Sequence, residues 1–239
     1  MNAPTTTYRG STIKPFSWSY SRLKNYESCP KKHYHLDVIK DIKEEESDQL
    51  LFGNMLHKAL ADFIDKKVAL PKPFAAYAKD VDAVFTFKGK DVRTIPDINI
   101  LVEQKLAISA DFGPVDWFAK DAWFRGIGDV IWIVGPIAFI ADWKTGKVLE
   151  DSQQLALMAA CVFAHHPDVQ VVRSEFVWLK EDATTTQDFK REDMPNMWSN
   201  LWTRIKNLEH AYLTTSYPAK PGGLCKRWCP VSSCPHNGQ

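Results

Sequence analysis

The chain has 239 residues, of which 45% are apolar, 25% charged and 12% aromatic; that balance builds a buried core and excludes a disordered or fibrous polypeptide. The formal net charge of +1 lacks the basic surplus by which many nucleic-acid binders are recognised. Local basic patches at Lys31-Lys32-His33, Lys66-Lys67 and Lys226-Arg227 leave the partner open.

Residues 1–16 read as a flexible leader, and Met1 to Lys14 lacks the apolar core of a secretory signal. No apolar run is long enough to span a bilayer, so no membrane role and a cytoplasmic location are expected. A helix opens at Ser19 or Ser21, either of which can cap it, and runs toward Cys29-Pro30. A second helix covers Gln49 to Lys66, with Phe52, Leu56, Leu60, Phe63 and Ile64 at helical spacing. Residues 71–100 read as connection with room for a short helix. Strands follow at Leu101–Ile108, Trp123–Val134 and Ile137–Trp143, the last two meeting at a Gly135-Pro136 turn. Asp151 to His166 is a helix with Ser152 as its cap, Val169–Leu179 and Thr184–Lys190 are strands, and Met194 to Leu213 is the final helix. Strands clustered mid-chain with helices around them predict an α/β domain with a central mixed sheet.

The strongest catalytic signal is Asp129, followed after twelve residues by Asp142-Trp143-Lys144. Strand alternation points Asp142 and Lys144 to one side, about 6–7 Å apart. Asp129 lies on the other arm of the same hairpin, where it can return beside Asp142. Two converging carboxylates repel unless a divalent cation neutralises them, and Mg²⁺ or Mn²⁺ prefers such oxygen ligands. Lys144 beside them suits phosphodiester hydrolysis, where it orients water or stabilises developing charge. A solvated pair at a strand end is the bland alternative, and the apolar neighbours Ile140, Ala141 and Trp143 weigh against it.

Gly126-Ile127-Gly128-Asp129 followed by Ile140-Ala141-Asp142-Trp143-Lys144-Thr145-Gly146-Lys147 resembles the core of the RecB-like branch of the PD-(D/E)XK nucleases. Leu51-Phe52-Gly53-Asn54-Met55-Leu56-His57 is similar to that branch's upstream G-x-x-x-H helix. Val102-Glu103-Gln104-Lys105-Leu106 resembles the strand bearing an extra acidic residue, and Gln153 to Met158 resembles the Q-x-x-x-Y helix, with Met158 in place of the aromatic. The resemblance spans Ser19 to Cys234. It implies His57, Glu103, Asp129, Asp142 and the carbonyl of Trp143 as metal ligands, Lys144 as the catalytic lysine and Gln154 at the rim of the active site. Without the resemblance, His57 reads as a core histidine, Glu103 as an exposed strand residue and Gln154 as a helix former; Gln153 is the other glutamine in reach.

Cys225-x3-Cys229-x4-Cys234 is a dense thiol set that one more thiolate would complete, and Cys29 is the natural fourth. One cysteine before the nuclease core and three after it resembles the iron–sulfur subgroup of the family, implying a [4Fe-4S] cluster, with zinc as the competing occupant and His236 as a substitute ligand. Cys161, on an Ala-rich helix, reads as a small core residue. A single nuclease domain at 17–239 is expected, in which 17–48 and 214–239 form an iron–sulfur appendage from both termini. Lys226, Arg227 and Trp228 would come together there as a contact for phosphates and bases. The resemblance leads to a metal-dependent DNA exonuclease acting on ends or single strands in phage or prophage recombination or repair, with a recombinase or single-strand annealing protein as a partner. The alternative is a catalytically silent nucleic-acid-binding or recombination-partner protein.

Overall fold

The structure is a computed structural model describing residues 15–43, 47–148 and 151–238. Of the leader expected at 1–16, residues 1–14 lie outside the described residues. In chain order the helices are α1 (Tyr20–Ser28), α2 (Pro30–His33), α3 (Asp48–Asp65), α4 (Ala78–Val84), α5 (Gln153–His165) and α6 (Met194–Thr214). The strands are β1 (Thr86–Phe87), β2 (Lys90–Asp91), β3 (Asn99–Ile108), β4 (Pro114–Val115), β5 (Phe124–Val134), β6 (Ile137–Lys144), β7 (Val171–Trp178) and β8 (Ala183–Lys190). Two compact units result, one within 47–194 and the other from 15–43 with 195–238, so that α6 joins the two terminal segments.

The first unit is built on a six-stranded mixed sheet in the order β4-β3-β5-β6-β7-β8. Its pairs are antiparallel except β6 with β7, which run parallel. A parallel neighbour requires a crossover, and α5 supplies it. On β6, Phe139, Ala141 and Trp143 belong to a core shared with Leu56, Leu60 and Ile64 of α3, at i, i+4 and i+8 of that helix. Ala138, Ile140 and Asp142 therefore face the other side, where Gln154 of α5 bonds to Asp142. The sheet thus carries its two helices on opposite faces.

Ser47 caps α3 by accepting from the Leu50 amide at 3.2 Å. Ser19, one of the two predicted caps, does the same for α1 through the Arg22 amide. Ser152 stands at the N-cap of α5 but makes no side-chain cap bond. Residues 71–100 hold more structure than expected: a 3₁₀ segment at Lys72–Tyr77, α4, and the β1–β2 hairpin. That hairpin turns at Lys88 (φ 50°) and Gly89 (φ 73°), the two positive φ values of a type I′ turn. Lysine is not a residue that advertises such a turn, which hid the hairpin in the sequence.

Met158 of α5, standing where the family pattern carries an aromatic, packs against both Gly126 and Gly128. A Cβ at Gly128 would also lie 2.9 Å from the Ile131 Cδ1. Gly128→Val is therefore expected to destabilise the protein by about 1–3 kcal/mol through overpacking, read as a lower urea midpoint with unchanged m-value. A midpoint equal to that of the wild type would show that this contact is loose. Among the described residues no helix is long and apolar enough to cross a membrane.

In the second unit, Arg204 of α6 binds both oxygens of Glu27 on α1, and the Tyr26 hydroxyl donates to the Asn207 carbonyl. His33 is buried and pairs through Nδ1 with Asp37 at 2.9 Å, which also accepts from Asn25. The Arg204–Glu27 and Tyr26–Asn207 bonds fasten α1 to α6, and those to Asp37 hold the N-terminal segment together.

Candidate active site

β3 and β5 pair regularly on both sides of one point. Val102 stands opposite Val130 and Gln104 opposite Gly128, but the intervening pair, Glu103 with Asp129, drops out of the ladder. Glu103 has φ 50°, a left-handed conformation that costs a non-glycine residue about 1–2 kcal/mol. Gly128 meets Met158 of α5, whereas Val130 belongs to the core beneath α3. Strand alternation is therefore broken at Asp129, and the break lets its carboxylate reach α3.

There Asp129 is held from two directions. Its Oδ1 lies 3.2 Å from Nδ1 of His57, and its Oδ2 accepts the Trp143 amide hydrogen at 2.8 Å. The Trp143 ring is buried, which anchors that amide. His57 follows Leu56 on α3, so it stands at the edge of the buried stripe and remains partly exposed. Gly53, one turn earlier, admits Thr145 close by: a Cβ at 53 would lie 3.2 Å from its Oγ1. Donor atoms of His57, Glu103 and Asp129 lie within 4.8 Å of one another, the only such group of three or more His, Cys, Asp or Glu among the described residues. An open cleft of about 770 Å³ runs beside them, lined also by Asn54, Lys58, Asp62, Lys144 and Thr145.

Asp142 lies just outside this group. It is 6% exposed and its oxygens are both engaged. Lys144 Nζ lies 2.7 Å from Oδ1, and Gln154 Nε2 donates to Oδ2 at 2.5 Å. Lys144 in turn donates to Gln154 Oε1 at 3.0 Å and lies over the Phe176 ring. Gln154 thus has both halves of its amide in use, which selects it over Gln153, an exposed residue at the start of α5. Asp142 and Lys144, expected on one face from strand alternation, meet, and Gln154, placed at the rim by the resemblance, bonds to both; Asp142 lies outside the tight donor group.

Charge crowding marks the site. Burial pushes the Asp142 carboxyl up to about 6, with Asp129 adding to the rise against the lowering effect of Lys144. Glu103 is raised as well, first by desolvation and then by Asp129. Burial acts to lower the His57 pKa, but the hydrogen bond and charge of Asp129, with Asp142 and Glu103, carry it above its ordinary value. Three carboxylates and an imidazole beside the single ammonium of Lys144 leave an excess of negative charge, and their nitrogen and oxygen donors fit a hard divalent cation. Of the α3 side of the cleft, the sequence pointed to Gly53 and His57 but not to the other polar residues that line it. Asn54, Lys58 and Asp62 recur at four-residue intervals, one helix face, and that polar spacing beside His57 was the available signal.

In the second unit Cys29, Cys225, Cys229 and Cys234 line one recess together with Lys31, Lys32 and Lys220. All four are free thiols. The Lys220 amide points at the Cys29 sulfur at 3.5 Å and the Gly222 amide at the Cys225 sulfur at 3.4 Å, the kind of N–H···S donation that surrounds cysteine-held clusters. The recess has room for about one water (roughly 10 Å³), and no three of the sulfurs come within 4.8 Å. The donor set thus fits a thiolate-bound metal or cluster, but the closed four-sulfur cage expected from the sequence is not formed. Cys161 is buried on α5, and burial raises its thiol pKa, as a core residue requires.

Residues 17–235 match the family model described as the PD-(D/E)XK nuclease superfamily. Among solved structures, a protein from Eubacterium rectale named as a candidate exonuclease aligns at 10% identity and TM-score 0.50, covering 95% of this chain and 92% of that one. A protein called SSO0001 aligns at 13% identity and TM-score 0.47, covering 96% and 89%. A comparison with curated protein sequences gave no match.

Proposed function

The chain belongs to the PD-(D/E)XK nuclease superfamily, and from that premise we propose that it is a divalent-metal-dependent DNA exonuclease acting on ends or single strands. The observation that carries the proposal is the meeting of His57, Glu103 and Asp129 beside the bonded set Asp142, Lys144 and Gln154. His57, Glu103, Asp129 and Asp142, with the Trp143 carbonyl, would hold Mg²⁺ or Mn²⁺. The ion supplies Lewis-acid polarisation of the phosphoryl oxygen and a lowered pKa for the attacking water.

The remaining work falls to the chain itself. Lys144, paired with Asp142 and oriented by Gln154, directs its ammonium toward the charge that develops on the phosphate. The Trp143 amide and His57 fix the Asp129 carboxylate in advance of substrate. The name of the Eubacterium rectale neighbour agrees with exonuclease action, and a role in phage or prophage recombination alongside a recombinase or annealing protein is part of the same reading. Incubating end-labelled single- and double-stranded DNA with Mn²⁺ tests it. Release of label by the wild type and not by Asp142→Ala is expected, whereas DNA left intact by the wild type would favour a silent binding protein.

The same proposal assigns a [4Fe-4S] cluster to Cys29, Cys225, Cys229 and Cys234, joining the two terminal segments, with zinc as the rival occupant. Support comes from the four free thiols in one recess and the two amides aimed at sulfur. Anaerobically purified protein should be brown, with a broad band near roughly 400 nm that Cys29→Ala removes. A colourless protein carrying one zinc per chain would assign the recess to zinc instead.

A further inference from the structure

A second recess in the terminal unit, of about 450 Å³, is walled by Lys31, Tyr34, His35, Thr215, Tyr217 and Pro218 with Ala219 and Pro235. Its size is that of a small-ligand site. The Tyr34 and Tyr217 rings are stacked, with centroids 4.7 Å apart and an interplanar angle of 29°. Stacked rings form a rigid aromatic wall that loses little entropy on binding. Tyr217 reaches this position because Thr215, the first residue past α6, turns the chain in a left-handed conformation, φ 54°. Across this turn the Ser216 amide donates to the Ala211 carbonyl at 3.1 Å, the Schellman closure that ends a helix and redirects the chain.

The polar groups of the recess match an anion. The Lys31 ammonium group makes no hydrogen bond or ion pair with the described residues. His35 Nδ1 is tied to Asp41 at 3.0 Å, which leaves Nε2 as the ring nitrogen open to a ligand. No acidic side chain lines the recess. An aromatic wall with an uncommitted ammonium is the combination that takes a base on its face and the adjoining phosphate at the cation.

We propose that this recess binds an unstacked nucleotide of single-stranded DNA, the Tyr34–Tyr217 pair receiving the base and Lys31 the phosphate. The substrate class rests on the nuclease reading; the binding site does not depend on hydrolysis. The test uses the full chain, labelled oligo(dT) and no divalent cation, with anisotropy as readout. Tyr34→Ala should weaken binding by roughly 5- to 100-fold, as loss of one stacked base does, while Tyr34→Phe retains it. Lys31→Ala should weaken binding and lower the slope of log Kd against log salt by about 0.7, one phosphate contact on a single strand. Both variants should bind blunt duplex as the wild type does, and their iron or zinc content, measured because Lys31 also lines the cysteine recess, should equal that of the wild type.

Unchanged oligo(dT) affinity and salt slope in Lys31→Ala would overturn the proposal, and this surface change decides the matter even if Tyr34→Ala misfolds. Equal losses on duplex and single strand would do the same, by showing a general charge effect. Hydrolysis of bis(p-nitrophenyl) phosphate with Mn²⁺ should be unaltered by either variant. A wild type inactive on that ester would count against the nuclease reading alone.

Discussion

Asp129→Ala is expected to lower Mn²⁺-dependent DNA hydrolysis by roughly 10³-fold or more, the scale of losing a preorganised charge-stabilising group. The size follows from how much converges on this one carboxylate. It is a member of the only close donor group among the described residues, it pairs with His57, and it accepts the Trp143 amide. Its removal strips the cation of a ligand and leaves an imidazole and an amide without their acceptor. Asp129→Asn separates these effects, since its carbonyl oxygen can still accept the Trp143 amide hydrogen. Activity should stay as low as in Asp129→Ala, while thermal stability in EDTA should be closer to that of the wild type. Single-turnover rates on end-labelled DNA, with Tm measured in parallel, check both. Substantial activity in either variant would remove Asp129 from the chemistry.

Asp142→Asn should abolish hydrolysis and yet stabilise the metal-free protein. The carboxyl is buried and raised from an ordinary 3.8 to about 6. Below the lower value it is protonated in folded and unfolded chains alike, and its contribution is at its most favourable. As the pH rises through the window from 3.8 to 6, the unfolded chain releases its proton more readily and folding stability falls. Above about 6 the penalty is complete, and a shift of that size corresponds to roughly 2–3 kcal/mol. Asparagine stands in for the protonated form. In EDTA at pH 8 the variant should melt several degrees above the wild type, and the gap should narrow as the pH is lowered from 6 toward 4. With Mn²⁺ the order should reverse, because only the wild type gains stability from the ion. A variant melting below the wild type in EDTA at pH 8 would mean that the Lys144 partnership outweighs burial.

Much of this geometry was legible in the sequence wherever local periodicity governs it. Each strand predicted between residues 101 and 190 is present within two residues of its expected ends. The shared face of Asp142 and Lys144 follows from strand alternation, and the Leu56–Leu60–Ile64 stripe from helical spacing. What stayed hidden is set by partners distant in the chain. The missing Glu103–Asp129 rung depends on β3 lying beside β5, and nothing in Val102-Glu103-Gln104 signals a left-handed residue. Glu103 beside Asp129 could be suspected, but not that these two would form the close donor group with His57 while Asp142 stays outside it. The resemblance chose Gln154 over Gln153, but the physical ground for that choice, bonds from Gln154 to both Asp142 and Lys144, lies in how α5 crosses β6. The grouping of α6 with the terminal segments rests on the Glu27–Arg204 pair, 177 residues apart.

The central claim is that Asp129 and Asp142 serve the same cation. Anomalous diffraction from Mn²⁺-soaked crystals measures this directly. The account predicts one peak within about 2.0–2.3 Å of oxygens from both carboxylates and of a His57 nitrogen, with Lys144 turned from Asp142 toward the cleft. A peak held by His57, Glu103 and Asp129 while Asp142 keeps its bonds to Lys144 and Gln154, or no peak at all, would contradict it.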